Sequence, residues 1–183
     1  MEKIDLFNIL VRFLAIKPLK FDKFDFLEAR QLIKKDREDS ITFYGEHNNF
    51  EMMIDEVAKK VTEAKLGTGT VYLYLKGKAC NARMERNLLE LVMNVHVIYI
   101  FGNPEDWPLR DPKIKFVDPA DMFEDNHQRF FIFQSSGYNV AMVARHDMHD
   151  EREMTEAALT NANDAISLLT QTIGTRIYTH IQN

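Results

Sequence analysis

Two histidines three residues apart, His146 and His149, stand beside Asp147, Asp150 and Glu151 in the run RHDMHDE. On a helix, residues at that spacing share a face, and two imidazoles with a carboxylate would supply three ligands to a zinc-like ion. The surrounding pattern is that of a strand end and a loop, where no such registration is guaranteed. The His-Glu-x-x-His signature of helical metalloproteases is absent. His146 and His149 are therefore weak metal candidates, and a solvated loop is the better reading.

Cys80 lies in KGKACNARMER, residues 76–86, between a predicted strand and a predicted helix. A thiol near a helix N-terminus and close to Lys76, Lys78 or Arg83 would have a lowered pKa and could act as a nucleophile or redox switch. A lone cysteine is more often a small buried hydrophobe, and no partner histidine can be placed beside it from sequence. A metal- or thiol-dependent enzyme built on His146 and His149 or on Cys80 is thus the alternative to the non-enzymatic reading below. Phosphate cradles have no support, because neither Gly-x-Gly-x-x-Gly nor a Walker pattern occurs. LGTGT, 66–70, precedes a strand and reads as a helix stop. QSSGYN, 134–139, is followed by a strand, whereas a nucleophile elbow leads into a helix.

The elements that would position these residues follow from periodicity. SITFYG (40–45), TVYLYLK (70–76) and VHVIYIFG (95–102) read as strands. Between them, Phe50, Met53, Ile54, Val57 and Val61 mark one helix, and Met84, Leu88, Leu91 and Val92 another. Strand, helix, strand, helix, strand implies a parallel α/β core with right-handed crossovers. A Pro-rich loop leads to a short strand, KIKFVD, and then to PADMFE, expected as one helical turn. RFFIFQ and NVAMVAR, joined by SSGY, form a hairpin that adds an antiparallel flank. A capped helix is expected over 160–174, and the tail TRIYTHIQN has no clear assignment. The fold class is α/β, with a mixed sheet and helices packed on it. Residues 1–39 read as an N-terminal helical extension, with a helix over 3–16, and residues 40–183 as the α/β domain.

Composition bounds the function. The 183 residues are 45% hydrophobic and 28% charged, enough for one core and no expectation of global disorder. Thirteen Phe and nine Met are the only excess. One cysteine excludes an internal disulfide framework and a multi-thiolate zinc site, which suits a reducing, cytoplasmic setting. No window reaches the ~18–20 apolar residues of a membrane span, and Asp5 and Arg12 interrupt the first apolar run, so no signal peptide is expected. A net charge of −5 gives no electrostatic footprint for sequence-independent nucleic-acid binding.

Taken together, VHVIYIFGNPED, KIKFVDPADMF and FFIFQSSGYNVAMVARHD resemble the DICT family of sensory domains, which occur beside diguanylate cyclases and two-component proteins. The resemblance covers roughly residues 40–175. It rests on Val97 to Gly102, on the Asp118-Pro119-Ala120-Asp121 turn, on Ala141 to Arg145 and on the closing strand, turn and helix of 157–169. It implies a cytoplasmic sensory or regulatory module in signal transduction, acting by ligand binding or protein–protein contact, with no catalytic residues to transfer. No cyclase, kinase or receiver segment accompanies the domain, so an output module would be a separate chain. The stripe Ile4, Phe7, Leu10, Leu14 is expected to pack on its own domain, with a homodimer as the alternative. A ligand pocket is expected at the strand ends near Tyr44, Lys76, Cys80, Arg83 and Gly102, and next in order at Gln134, Ser136 and Arg145. The cofactor is unknown; nucleotides, tetrapyrroles and flavins are the classes to screen.

Overall fold

A computed structural model describes residues 2–14, 21–35, 37–64, 68–75, 80–120, 122–124, 128–146 and 155–181. Helices form where apolar residues recur on one face and a polar side chain closes the first turn. In α2 (Phe26–Lys34), the Asp25 carboxylate accepts the amides of Leu27 at 2.8 Å and Glu28 at 3.1 Å. Asn81 does the same for α4 (Ala82–Asn94), accepting the Met84 amide at 2.9 Å. Between them lies α3 (His47–Ala64), which buries Phe50, Met53, Ile54, Val57, Ala58 and Val61 along one stripe.

The described residues form eight strands in one mixed sheet. They are β1 (Phe21–Lys23), β2 (Ser40–Gly45), β3 (Gly69–Leu75), β4 (Val95–Phe101), β5 (Ile114–Val117), β6 (Arg129–Gln134), β7 (Asn139–His146) and β8 (Thr155–Thr160), in the spatial order β1-β2-β8-β7-β6-β3-β4-β5. Parallel pairing holds β3, β4 and β5 together, and joins β1 to β2. The hairpin β6–β7 flanks the β3–β4–β5 ladder through the antiparallel β3–β6 pair, and β8 runs antiparallel between β7 and β2. Strands β2 and β3 are therefore not neighbours, although a single helix connects them. The 18 residues of α3 extend about 27 Å, enough to carry the chain over the three intervening strands. Hydrophobic pattern sets which face of a strand is buried and does not choose its neighbour.

Alternation divides the strand side chains between two cores. On one face, Phe43, Val71, Leu73, Ile98, Ile100, Phe131, Phe133, Val140, Met142 and Leu159 pack against α2, α3 and α4. The opposite face presents Tyr74, Phe101, Phe130, Ile132, Ala141, Val143 and Ala158 to α1 (Leu6–Leu14) and α5 (Asn163–Ile181). The alanines leave room for helices to sit close. Phe123 joins Tyr74, Phe101 and Phe130 in an aromatic cluster with ring centroids 5.0 to 5.6 Å apart, stacked between Tyr74 and Phe123 and tilted or edge-on in the other pairs.

The N-terminal segment belongs to this second core. Leu6, Phe7, Leu10 and Leu14 of α1 are buried on the chain's own sheet. Ile4 bridges Phe123 in parallel, with its amide 2.9 Å from the Met122 carbonyl. Gln128, fully buried, accepts the Leu6 amide at 2.7 Å and donates to the Ile4 carbonyl at 3.0 Å. The PADMFE segment makes a single turn closed by Met122 N to Pro119 O at 3.0 Å. The tail continues α5 to Ile181, because Gly174 lies within the helix with open space around it and Ile177, beyond the expected stop, is still buried. No described helix is long and apolar enough to cross a membrane.

Candidate functional site

Six strands run in one direction and two, β6 and β8, in the other. The carboxyl ends of β2, β3, β4 and β7 consequently share one edge of the sheet. Tyr44 on β2 and Gly102 after β4 both lie there, but five strand spacings, roughly 24 Å, separate them. They do not line a common pocket.

Tyr44 and Arg145 do meet, through a residue that the sequence did not single out. Glu156 on β8 stands opposite Tyr44 on one side and Arg145 on the other. Its carboxylate accepts the Tyr44 hydroxyl at 2.9 Å and Arg145 Nε at 2.7 Å. Arg145 Nη1 also reaches Asn8 Oδ1 at 3.2 Å, and its guanidinium lies 4.5 Å from the Phe7 ring centroid, within cation–π range. With its charge and its planar face both occupied, Arg145 clamps α1 to the sheet and is not presented to a ligand.

Arg83 turns toward α3, with Nε 3.5 Å from Asp55 Oδ2. Asp55 also binds Asn87 Nδ2 in a short hydrogen bond, and Asn81 Nδ2 donates to Glu51 at 2.7 Å, so these groups form a polar seam between α3 and α4. Cys80 is half-buried at the start of that seam. Burial pushes its thiol up to about 11, and the nearby carboxylates of Glu85 and Glu51 push the same way. Lowering by helix terminus and cations was the condition for a nucleophile, and here the balance runs in the opposite direction. His146 closes β7 opposite Thr155, but its side chain, all of His149 and Lys76 lie outside the described residues. Among the described residues no group of three or more His, Cys, Asp or Glu is placed to hold a metal ion.

Gly102 borders an open cleft of about 390 Å³ with Asn103, Pro104, Phe116 and Asp118, just outside the carboxyl ends of β4 and β5. A more polar and more enclosed cleft, of about 340 Å³, lies at the opposite edge of the sheet. Three distant segments build it: Lys35 and Glu38 between α2 and β2, Ser136 to Asn139 in the hairpin, and Asn161 and Asn163 at the entry to α5. Ser136 is a wall of this cleft; Gln134, paired with Thr70 and Asn139 on the ladder, is not.

Side-chain hydrogen bonds fix the walls. Asn161 donates to the Arg37 carbonyl at 3.0 Å and accepts the Asp39 amide at 2.5 Å, which ties the α2–β2 turn to the end of β8. Asn139 Nδ2 donates to Asn163 Oδ1 at 2.6 Å, which ties the hairpin to α5. Glu38 Oε1 accepts the Asn163 amide at 3.0 Å, so a carboxylate already covers the positive end of α5. Lys35 Nζ is held by Asp39 at 2.7 Å, and that bond keeps the Asp39 carboxyl below its ordinary range. Tyr138 closes the inner side: it is 9% exposed, and its hydroxyl is buried without a hydrogen-bond partner among the described residues. Burial raises its pKa far from neutrality, so the hydroxyl stays protonated. Of these wall residues the sequence pointed only to Ser136. The signal for the others was the asparagine-rich TNAND, which equally describes a helix start. Comparison with protein-family models, with curated proteins and with solved structures returns no match.

Proposed function

We propose that this chain is a sensory or regulatory module that binds a small molecule at the hairpin cleft and passes the bound state to a separate output protein. The observation that carries this reading is the construction of the cleft from three segments far apart in sequence: Lys35 and Glu38, Ser136 to Asn139, and Asn161 and Asn163. A ligand bridging them would add to the hydrogen bonds that already join the hairpin, the α2–β2 turn and the start of α5. Because α5 packs on α1, such fixation would reach the helical face of the domain. A ligand shifts a protein between states only by its differential affinity for them, and a cleft closed by mobile-length side chains from three segments is where that difference can arise. The resemblance to DICT domains supports a sensory role, and the single cysteine supports a reducing, cytoplasmic setting. The raised thiol pKa of Cys80 speaks against the thiol-enzyme alternative.

The test is a thermal-shift screen of the full chain against nucleotides, flavins, tetrapyrroles and sugars, with Ser136→Trp as the blocked control. Ser136 is exposed on the hairpin, so a bulky side chain there fills the cleft and leaves the core intact. Saturating ligand at about 100 times its Kd stabilises by ~2.7 kcal/mol. For a chain of this length that corresponds to a rise in Tm of roughly 5–10 °C. The reading fails if no class gives a saturable rise, or if Ser136→Trp responds as the wild type does.

A further inference from the structure

The geometry points to a neutral, hydroxyl-rich small molecule, a monosaccharide or a polyol of similar size, as the ligand of the hairpin cleft. This inference rests on the reading of that cleft as a ligand site and specifies its chemistry. The argument starts from what the walls have already used. Asn139 and Asn161 are committed to holding the segments together, and Lys35, the one cation among the described lining residues, is paired with Asp39 at 2.7 Å. Besides the buried Tyr138 hydroxyl, three groups of the wall remain without a partner among the described residues: the Asn163 Nδ2 donor, the second carboxylate oxygen of Glu38, and the Ser136 hydroxyl. They comprise a donor, an acceptor and a group that does both.

Charge excludes the two ionic classes. An anion would meet the Glu38 carboxylate, and the helix terminus that would otherwise attract it is already covered by that same carboxylate. A cation would approach Glu38 against the positive end of α5 and beside the Lys35 ammonium. A hydroxyl needs neither charge, and each one can donate and accept at once, which is what a mixed wall of amide, carboxylate and hydroxyl offers. The volume, about 340 Å³, lies at the low end for ligand clefts and suits a single small ring more than a dinucleotide or a tetrapyrrole. The lining is mostly polar, so hydrogen bonds and not apolar burial would supply the specificity.

Isothermal titration of the full chain decides it, with D-glucose, D-ribose, myo-inositol and trehalose as neutral probes and inorganic phosphate and putrescine as ionic ones. Probes are kept at millimolar concentration, because polyols at molar concentration stabilise any protein by exclusion from its surface. At least one neutral probe is expected to give a saturable heat, weakened tenfold or more in a Ser136→Ala, Asn163→Ala double variant whose urea midpoint matches the wild type. Glu38→Gln is expected to weaken the neutral probe less than the double variant and to admit phosphate. Saturable binding of phosphate or putrescine, with none of the neutral probes, would overturn the ligand class and leave the cleft as a ligand site. Silence from all six probes, together with a negative thermal-shift screen, would remove both the class and the site.

Discussion

Gln128→Ala is the most direct perturbation of how the N-terminal segment is held. The Gln128 side chain is fully buried, and its amide satisfies two backbone groups at once, the Leu6 amide at 2.7 Å and the Ile4 carbonyl at 3.0 Å. Where water can replace a lost partner, each hydrogen bond is worth about 0.5–1.5 kcal/mol. Here the two backbone groups belong to Ile4 and Leu6, both buried in the second core, so water has little access and each orphaned group costs about 1–3 kcal/mol. Two orphans give an expected destabilisation of about 2–6 kcal/mol, before any loss of packing. Urea unfolding followed by circular dichroism reads this as a fall in midpoint of roughly 1–3 M, given a slope of about 2 kcal/mol/M. Amide exchange in α1 should accelerate in parallel. A variant within ~0.5 kcal/mol of the wild type at unchanged slope would show that Gln128 is not what ties α1 down, because surface-type substitutions fall in that range.

Other consequences follow from the packing. Gly69→Ala would place a Cβ 2.3 Å from the Phe133 ring, so a melting experiment should register an overpacking cost of about 1–3 kcal/mol, relieved when Phe133→Leu is added. With its thiol pushed up to about 11, Cys80 should be alkylated by iodoacetamide slowly at neutral pH, and the rate should climb about tenfold per pH unit toward that value. A rate already levelling off near pH 8 would contradict the burial argument. Arg145→Met should cost about 1–2 kcal/mol by breaking the half-buried pair with Glu156 and the stack on Phe7, yet leave ligand affinity at the hairpin cleft unchanged. A parallel loss of binding would mean that Arg145 touches the ligand after all.

Local signals in the sequence led to the right elements wherever one residue class dominated. RFFIFQ and NVAMVAR are short, continuous apolar runs bounded by polar residues, SSGY is a connection of hairpin length, and the structure pairs the two runs antiparallel, Phe131 with Met142. The stripe Phe50, Met53, Ile54, Val57, Val61 likewise lies buried along α3. Less legible were elements whose composition argues against their fate. β8 reads TEAALT, rich in helix formers, and becomes a strand because β2 and β7 pair with it on both sides. β1 is only three residues long at a sheet edge. The site was harder still. Tyr44 and Arg145 come together only through Glu156, opposite both in the register, and no spacing along the chain announces that. Asparagines 139, 161 and 163 have the residue type expected of any turn or cap, so their convergence on one cleft is a property of tertiary structure alone.

The strand order also dictates how the molecule must come into being on the ribosome. Translation delivers β1 and β2, then β3, β4 and β5, which end up on opposite flanks; the three strands that join them, β8, β7 and β6, emerge last. Until Thr160 has left the exit tunnel, the nascent chain holds two unjoined half-sheets with raw inner edges, the kind of template on which strangers pair. Closure demands contacts between residues more than a hundred positions apart, such as Ser40 with Thr160, so folding is expected to be slow for its size. A message truncated before that point would yield an aggregation-prone fragment instead of a smaller working protein.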